Sequence, residues 1–170
     1  YYYEFPLNSL FWGYKAESLL TKTKLKNVYR GRNIQTGELV VIKAEFFKSK
    51  SSNILFEGKF LQMTQGSPGI PWMHWCGPES DECNCLIVEH LGYSIEDLFQ
   101  LCHRRFSLKT VTMLGIQLLE MVEVYHFKEL IHRNICPHGL QLGKGKKNNR
   151  LYFNDLLSSK KYIDTKTSEH

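Results

Sequence analysis

The sequence predicts an α+β fold, with an antiparallel, β-rich first half carrying one helix and a mainly helical second half. Three observations carry this prediction. Strand-like runs flank the turn residues Gln35-Thr36-Gly37-Glu38, the pattern of a hairpin. Ser94 and Ser107 each precede a pattern with apolar residues three and four apart, as in capped amphipathic helices. The grammar changes from strand to helix at Glu89-His90-Leu91-Gly92, which reads as a hinge between two lobes.

The elements follow in order. Residues 1–13, YYYEFPLNSLFWG, form an aromatic N-terminal extension containing Glu4 and Pro6. They lack the basic start and unbroken apolar run of a secretion signal. The chain has no initiating Met, so a fragment or trimmed chain is expected. Residues 14–46 read as strands, with Asn27-Val28-Tyr29-Arg30 and Leu39-Val40-Val41-Ile42 forming the hairpin. Residues 53–65 read as a helix capped by Ser52, with Ile54, Leu55, Phe60 and Leu61 on its apolar face. Gly66-Ser67-Pro68-Gly69-Ile70-Pro71 breaks the chain. Two further strands fit at 72–77 and 84–89.

Beyond the hinge, Ser94 and Asp97 match a capping box opening a short helix to about Cys102. Ser107 caps a longer one, whose apolar positions Val111, Leu114, Leu118, Met121 or Val122, and Tyr125 predict a buried helix ending near Phe127. A basic, hairpin-like turn at 143–150 and a short strand at 151–154 complete the pattern.

Composition narrows the function classes. The 170 residues are 42% hydrophobic and 23% charged, ordinary for a globular chain, and no apolar run approaches the ~18 residues of a membrane span. Five cysteines, at 76, 83, 85, 102 and 136, fit reduced thiols in the cytoplasm or nucleus better than a disulfide frame. His74, Cys76, Cys83 and Cys85 have too narrow a spacing for a structural zinc site. His126, His132 and His138 have no adjacent carboxylate and read as structural or exposed. The net charge is +5, and residues 144–161 alone reach +5, with six Lys and Arg against Asp155. Such a run is most simply a solvated loop, or else a patch attracting acidic or phosphorylated proteins. Nucleic acid is not favoured, because no stacking aromatics accompany the lysines.

Several strings carry a family resemblance. GIPWMHWCG (69–77), LGYSIEDLFQLCHRRFSLKTV (91–111) and the tail SKKYID (159–164) resemble the casein kinase 1 family, whose pattern reads GIP, LGPSLEDLF, FSLKTV and AKKYRD. The resemblance runs over residues 14–164. It implies a protein-kinase-like domain at 14–170, with a small lobe at 14–89, a hinge at 89–92 and a truncated large lobe at 93–170, since kinase domains need about 250 residues. It also implies ATP and Mg²⁺ as cofactors, and acidic or phosphate-primed protein substrates.

The resemblance assigns roles residue by residue. Lys43, in Val40-Val41-Ile42-Lys43, falls where the family contacts ATP phosphates, and Glu57 where it pairs with that lysine. Strand alternation directs Lys43 away from Val40 and Ile42; the plainer reading is a surface Lys–Glu pair worth at most ~1 kcal/mol. Val88, Glu89 and Leu91 fall in the nucleotide-binding hinge. Asp155 falls where the family holds a metal ion, followed by Leu156-Leu157 in place of Phe-Gly. Four chemical parts differ. Thr21, Thr23 and Lys26 replace the glycine-rich turns. Asn134, in the loop LIHRNICPHG (130–139), replaces the catalytic Asp, and an amide cannot accept a proton from an alcohol. Cys136 replaces a phosphate-facing Lys, and Gly139 a metal-binding Asn. Loss of a general base alone is typically worth ~10²–10⁴-fold. The expectation is therefore an impaired kinase domain, a pseudokinase serving as a scaffold or binding module for a protein partner. The alternative is an active Ser/Thr kinase.

Overall fold

A computed structural model describes residues 5–24, 26–46, 52–81 and 83–163. The start of the expected extension (1–4) and the end of the tail, including Asp164, lie outside the described residues. The chain divides into two compact units, one from residues 5–62 and 72–90, the other from 63–71 and 91–163.

The first unit is an antiparallel sheet with one helix. Its strands are β1 (Leu10–Phe11), β2 (Tyr14–Lys22), β3 (Lys26–Asn33) and β4 (Leu39–Phe46); after helix α1 (Asn53–Thr64) come β5 (Met73–Ser80) and β6 (Cys83–Glu89). The order across the sheet is β1-β2-β3-β4-β6-β5. The hairpin turn between β3 and β4 closes through Asn33, whose side-chain oxygen accepts from the Gln35 and Thr36 N–H groups. Gly37 supplies the φ of +73° that the turn requires. Residues 5–13, read in the sequence as an extension, contribute β1 to the sheet edge and bury Phe11 completely.

Alternation sorts the sheet residues. One face gathers Phe11, Ala16, Tyr29, Val40, Ile42, Ala44, Cys83, Cys85 and Ile87 into a fully enclosed core. The sheet curls around this core until Trp12, beside β1, stacks on Trp75 of β5 at 4.0 Å between ring centroids. The opposite face of β4 carries Lys43 and Glu45 toward α1. The Glu45 carboxylate accepts from the Asn53 and Ile54 N–H groups, satisfying donors at the α1 N-terminus. Ser52 caps in the expected way, accepting from the Leu55 N–H. Gly58 lets α1 lie close to β5, since a Cβ there would overlap the Cys76 thiol.

The α1 stripe differs from the sequence expectation in one position. Ile54, Phe60 and Leu61 are buried, but Leu55 is 41% exposed. The place expected for Leu55 is taken by Glu57, three residues after Ile54 and four before Leu61, on the same side of the helix.

The second unit contains α2 (Ile95–Leu101), α3 (Leu108–Phe127), β7 (Leu130–Ile131), β8 (Leu140–Leu142), β9 (Leu151–Phe153) and β10 (Lys160–Lys161). The capping box is present: Ser94 Oγ accepts from the Asp97 N–H, and the Asp97 carboxylate accepts from the Ser94 N–H. That carboxylate's pKa is lowered, first by the Ser94 hydroxyl and then by its backbone N–H. Ser107 caps α3. β8 and β9 pair antiparallel around a one-turn 3-10 helix at Gly145–Lys147, the expected basic turn. The segment 63–71 joins this unit through the Phe153 N–H, which donates to the Gly69 carbonyl at 2.8 Å. The α3 expectation is corrected. Met121 and Tyr125 are buried, but Val111 is 52% exposed, and Met113, Ile116 and Leu119 are exposed as well. Packing covers only one side of the helix.

Candidate functional site

In the first unit, β4 and α1 bring Lys43 and Glu57 together. The Lys43 ammonium donates to the Glu57 carboxylate at 2.5 Å, and both side chains are almost wholly enclosed. The pair is not a surface contact. In a buried pair each ion stabilises the other, and removing one strands the second without solvation. Val88 and Glu89 sit at the end of β6, opposite Val41 and Val40 respectively. Val88 is buried. Glu89 is bound to Trp72 twice: its N–H donates to the Trp72 carbonyl, and its carboxylate accepts from the Trp72 N–H.

The turn between β2 and β3 lies among Thr21, Thr23 and Lys26. Thr21 lies within β2, opposite Val28. Thr23 and Lys26 close the turn on themselves. The Thr23 N–H and hydroxyl both donate to the Lys26 carbonyl, at 2.9 and 2.7 Å, and the Lys26 N–H donates to Thr23 Oγ1. The Thr23 and Lys26 N–H groups are thus both committed inside the turn.

In the second unit, the loop after β7 carries His132, Arg133 and Asn134. His132 is buried and packs on Phe153, with ring centroids 4.3 Å apart, and beside Tyr125. Burial lowers its pKa, while the Asp155 carboxylate and backbone act in the opposite direction. Its Nε2 has no hydrogen-bond partner among the described residues, and its Nδ1 accepts from the Asn134 N–H at 3.4 Å. Arg133 takes a positive φ of 66° and its Nε donates to the Ser158 carbonyl at 2.6 Å. The Asn134 side chain is exposed. Asp155 follows β9 and accepts from the Leu157 N–H at 2.8 Å, with Leu156 buried. The Gly139 carbonyl, at the end of the 3-10 turn Pro137–Gly139, accepts from the Asn154 N–H. Leu91 is buried in this unit. Thus Lys43, Glu57, Val88 and Glu89 belong to the first unit, and Leu91, Asn134 and Asp155 to the second.

The histidines do not converge. His126 packs edge-on against Tyr162, His132 is in the aromatic cluster, and His138 is exposed and acts electrostatically on Asp97. Among the described residues no group of three His, Cys, Asp or Glu side chains could hold a metal ion. The thiols of Cys76 and Cys83 are pushed up to about 11 and about 12 by burial, and Cys85 is also raised. All three stay protonated near neutral pH.

Residue identity marked most of these positions, but their local bonds were not legible. The Glu45 cap, the Arg133–Ser158 bond and the closed Thr23–Lys26 turn depend on contacts that no spacing rule encodes. The Asp155–Leu157 bond is an Asx-type contact two residues ahead, a pattern that Asp in a loop commonly makes. No protein-family model matches the chain. Among the described residues no helix is long and apolar enough to cross a membrane.

Proposed function

We propose that this chain is a casein kinase 1-like protein kinase domain that has lost efficient phosphoryl transfer and serves as a scaffold or binding module for a protein partner. The observation that carries the proposal is the loop at Asn134. It presents an exposed amide where the transfer reaction needs a carboxylate to take the hydroxyl proton. Three features support it. The Thr23–Lys26 turn spends its donors internally. Cys136 and Gly139 supply neither the cation nor the metal-binding amide of the family pattern. Asp155, the residue that would hold Mg²⁺, already accepts from the Leu157 N–H, though its other oxygen lies outside that bond.

A second reading is an active Ser/Thr kinase, transferring phosphate from ATP to acidic or phosphate-primed proteins. The enclosed Lys43–Glu57 pair favours it, because that is the arrangement required to hold the α- and β-phosphates. The exposed basic stretch 144–150 is compatible with acidic protein partners under either reading. Cytoplasmic or nuclear residence belongs to the same proposal, on the strength of the five free thiols.

Calorimetric titration with ATP and Mg²⁺ tests the first reading. The expected result is weak binding or none. Tight Mg²⁺-dependent binding would overturn the expectation for the nucleotide, provided it is lost in Lys43→Met with Glu57→Gln. That variant removes both charges together, so it does not leave one ion buried alone.

A further inference from the structure

One side of α3 packs through Met121 and Tyr125, while the other displays Met113 (52% exposed), Ile116 (53%) and Leu119 (71%). Beside these lies an open groove of about 570 Å³ lined by Ile116, Leu119, Val122, Glu120, Glu123 and His126. This is more apolar surface than a solvated helix face normally carries.

Two of the charges on this face are arranged reciprocally, while exposed Glu120 is matched across the midpoint by the uncharged Thr112. Lys109, Ile116 and Glu123 are seven residues apart and all exposed, so at about 100° per residue they lie nearly on one line along the helix. Ile116 is the midpoint. The cation and the anion stand at equal distances from it, roughly 10 Å on either side. Met113 and Leu119 are likewise three residues before and after Ile116. Gly115 leaves open space beside the midpoint, with nothing within 4 Å of where a Cβ would be.

We propose that α3 is the contact surface of a two-fold homodimer, pairing antiparallel with α3 of a second copy of this chain. A two-fold axis at Ile116 sets Ile116 against its own copy and Met113 against Leu119 of the second copy. Lys109 then faces Glu123 of the second copy at both ends. Isologous interfaces require this kind of self-complementarity. A parallel pairing would set Lys109 against Lys109 and Glu123 against Glu123, so the charges select the antiparallel arrangement. A single helix pair about 30 Å long buries less than the ~1,200 Å² at the low end of stable interfaces. The dimer is therefore concentration-dependent, and salt weakens its end pairs.

Sedimentation equilibrium of the full 170-residue chain tests this. The wild type should show a reversible monomer–dimer equilibrium. Ile116→Glu, which sets two like charges on the axis, should abolish the dimer. Lys109→Glu and Glu123→Lys should each weaken it several-fold, and the double variant should recover association because both end pairs re-form with reversed sign. All three positions are exposed, so the fold should persist, and circular dichroism checks this. A monomer at every concentration, open-ended association in place of a closed dimer, or a double variant no tighter than the singles would overturn the proposal. So would a chain that stays monomeric and uses α3 only to capture a different protein.

Discussion

The Lys43–Glu57 pair and the loop around Asn134 treat polar residues in opposite ways. In the first, two charges are enclosed by β4 and α1 and satisfy each other at 2.5 Å. In the second, the residue of chemical interest is an exposed amide, and the anchoring falls to its neighbours. His132 packs into the aromatic cluster and Arg133 holds the Ser158 carbonyl. The lesson concerns what persistence means. Lys43 and Glu57 are expensive to change whether or not ATP is ever bound, because losing either strands the other. Asn134 is cheap to change, because it is exposed. Under the proposed function, the buried pair alone therefore does not decide between an active and an impaired kinase, whereas the identity of residue 134 bears on that choice directly.

The largest expected effect tests the first half of that contrast. Glu57→Ala should lower stability by about 3–5 kcal/mol in urea denaturation, and Lys43→Met with Glu57→Leu should recover most of the loss. If Glu57→Ala cost under ~1 kcal/mol, the pair would behave as a surface contact and the contrast would fail.

A pH titration of stability sharpens the second half. Burial lowers the His132 pKa below its ordinary value of about 6.5, so the folded state favours the neutral ring. The unfolded chain then binds the proton more readily. The contribution is present above the unfolded pKa and is lost as pH falls from about 6.5 toward the lower folded value. Thermal midpoints should drop over that interval, and His132→Phe should flatten the dependence. An unchanged pH profile in the variant would show that His132 is not the titrating group.

The smallest effect belongs to Asn134→Asp. At an exposed position its stability should stay within about 0.5 kcal/mol of the wild type in the same denaturation assay. A loss above ~2 kcal/mol would mean that the amide holds the loop together after all.

Local patterns made much of this architecture legible. The Gly37 turn, all three serine caps and the break at 66–71 announce themselves in a few adjacent residues, and the structure has them. Errors arose where an outcome depended on distant partners. Leu55 was expected inside α1 because apolar spacing cannot foresee that an ion pair will occupy the stripe. Val111 was expected inside α3 because a helix apolar on more than one side does not declare which side is packed. Phe11 and β1 were hidden in an apparently irregular aromatic start, since a two-residue edge strand has no period to detect. At the candidate site, Asn134, Cys136 and Gly139 were readable as residue identities. The bonds of Thr23, Lys26 and Arg133 were not, because they depend on backbone geometry, whereas the Asp155–Leu157 contact follows a pattern common for Asp in a loop.

Transfer of labelled γ-phosphate from ATP, with Mg²⁺, to an acidic protein tests the central claim most directly. The wild type should show no incorporation above background, and Asn134→Asp alone should show none either, because Cys136, Gly139 and the closed Thr23–Lys26 turn still withhold the other parts. Incorporation by the wild type that disappears in Asp155→Ala, or rapid turnover restored by Asn134→Asp alone, would contradict it.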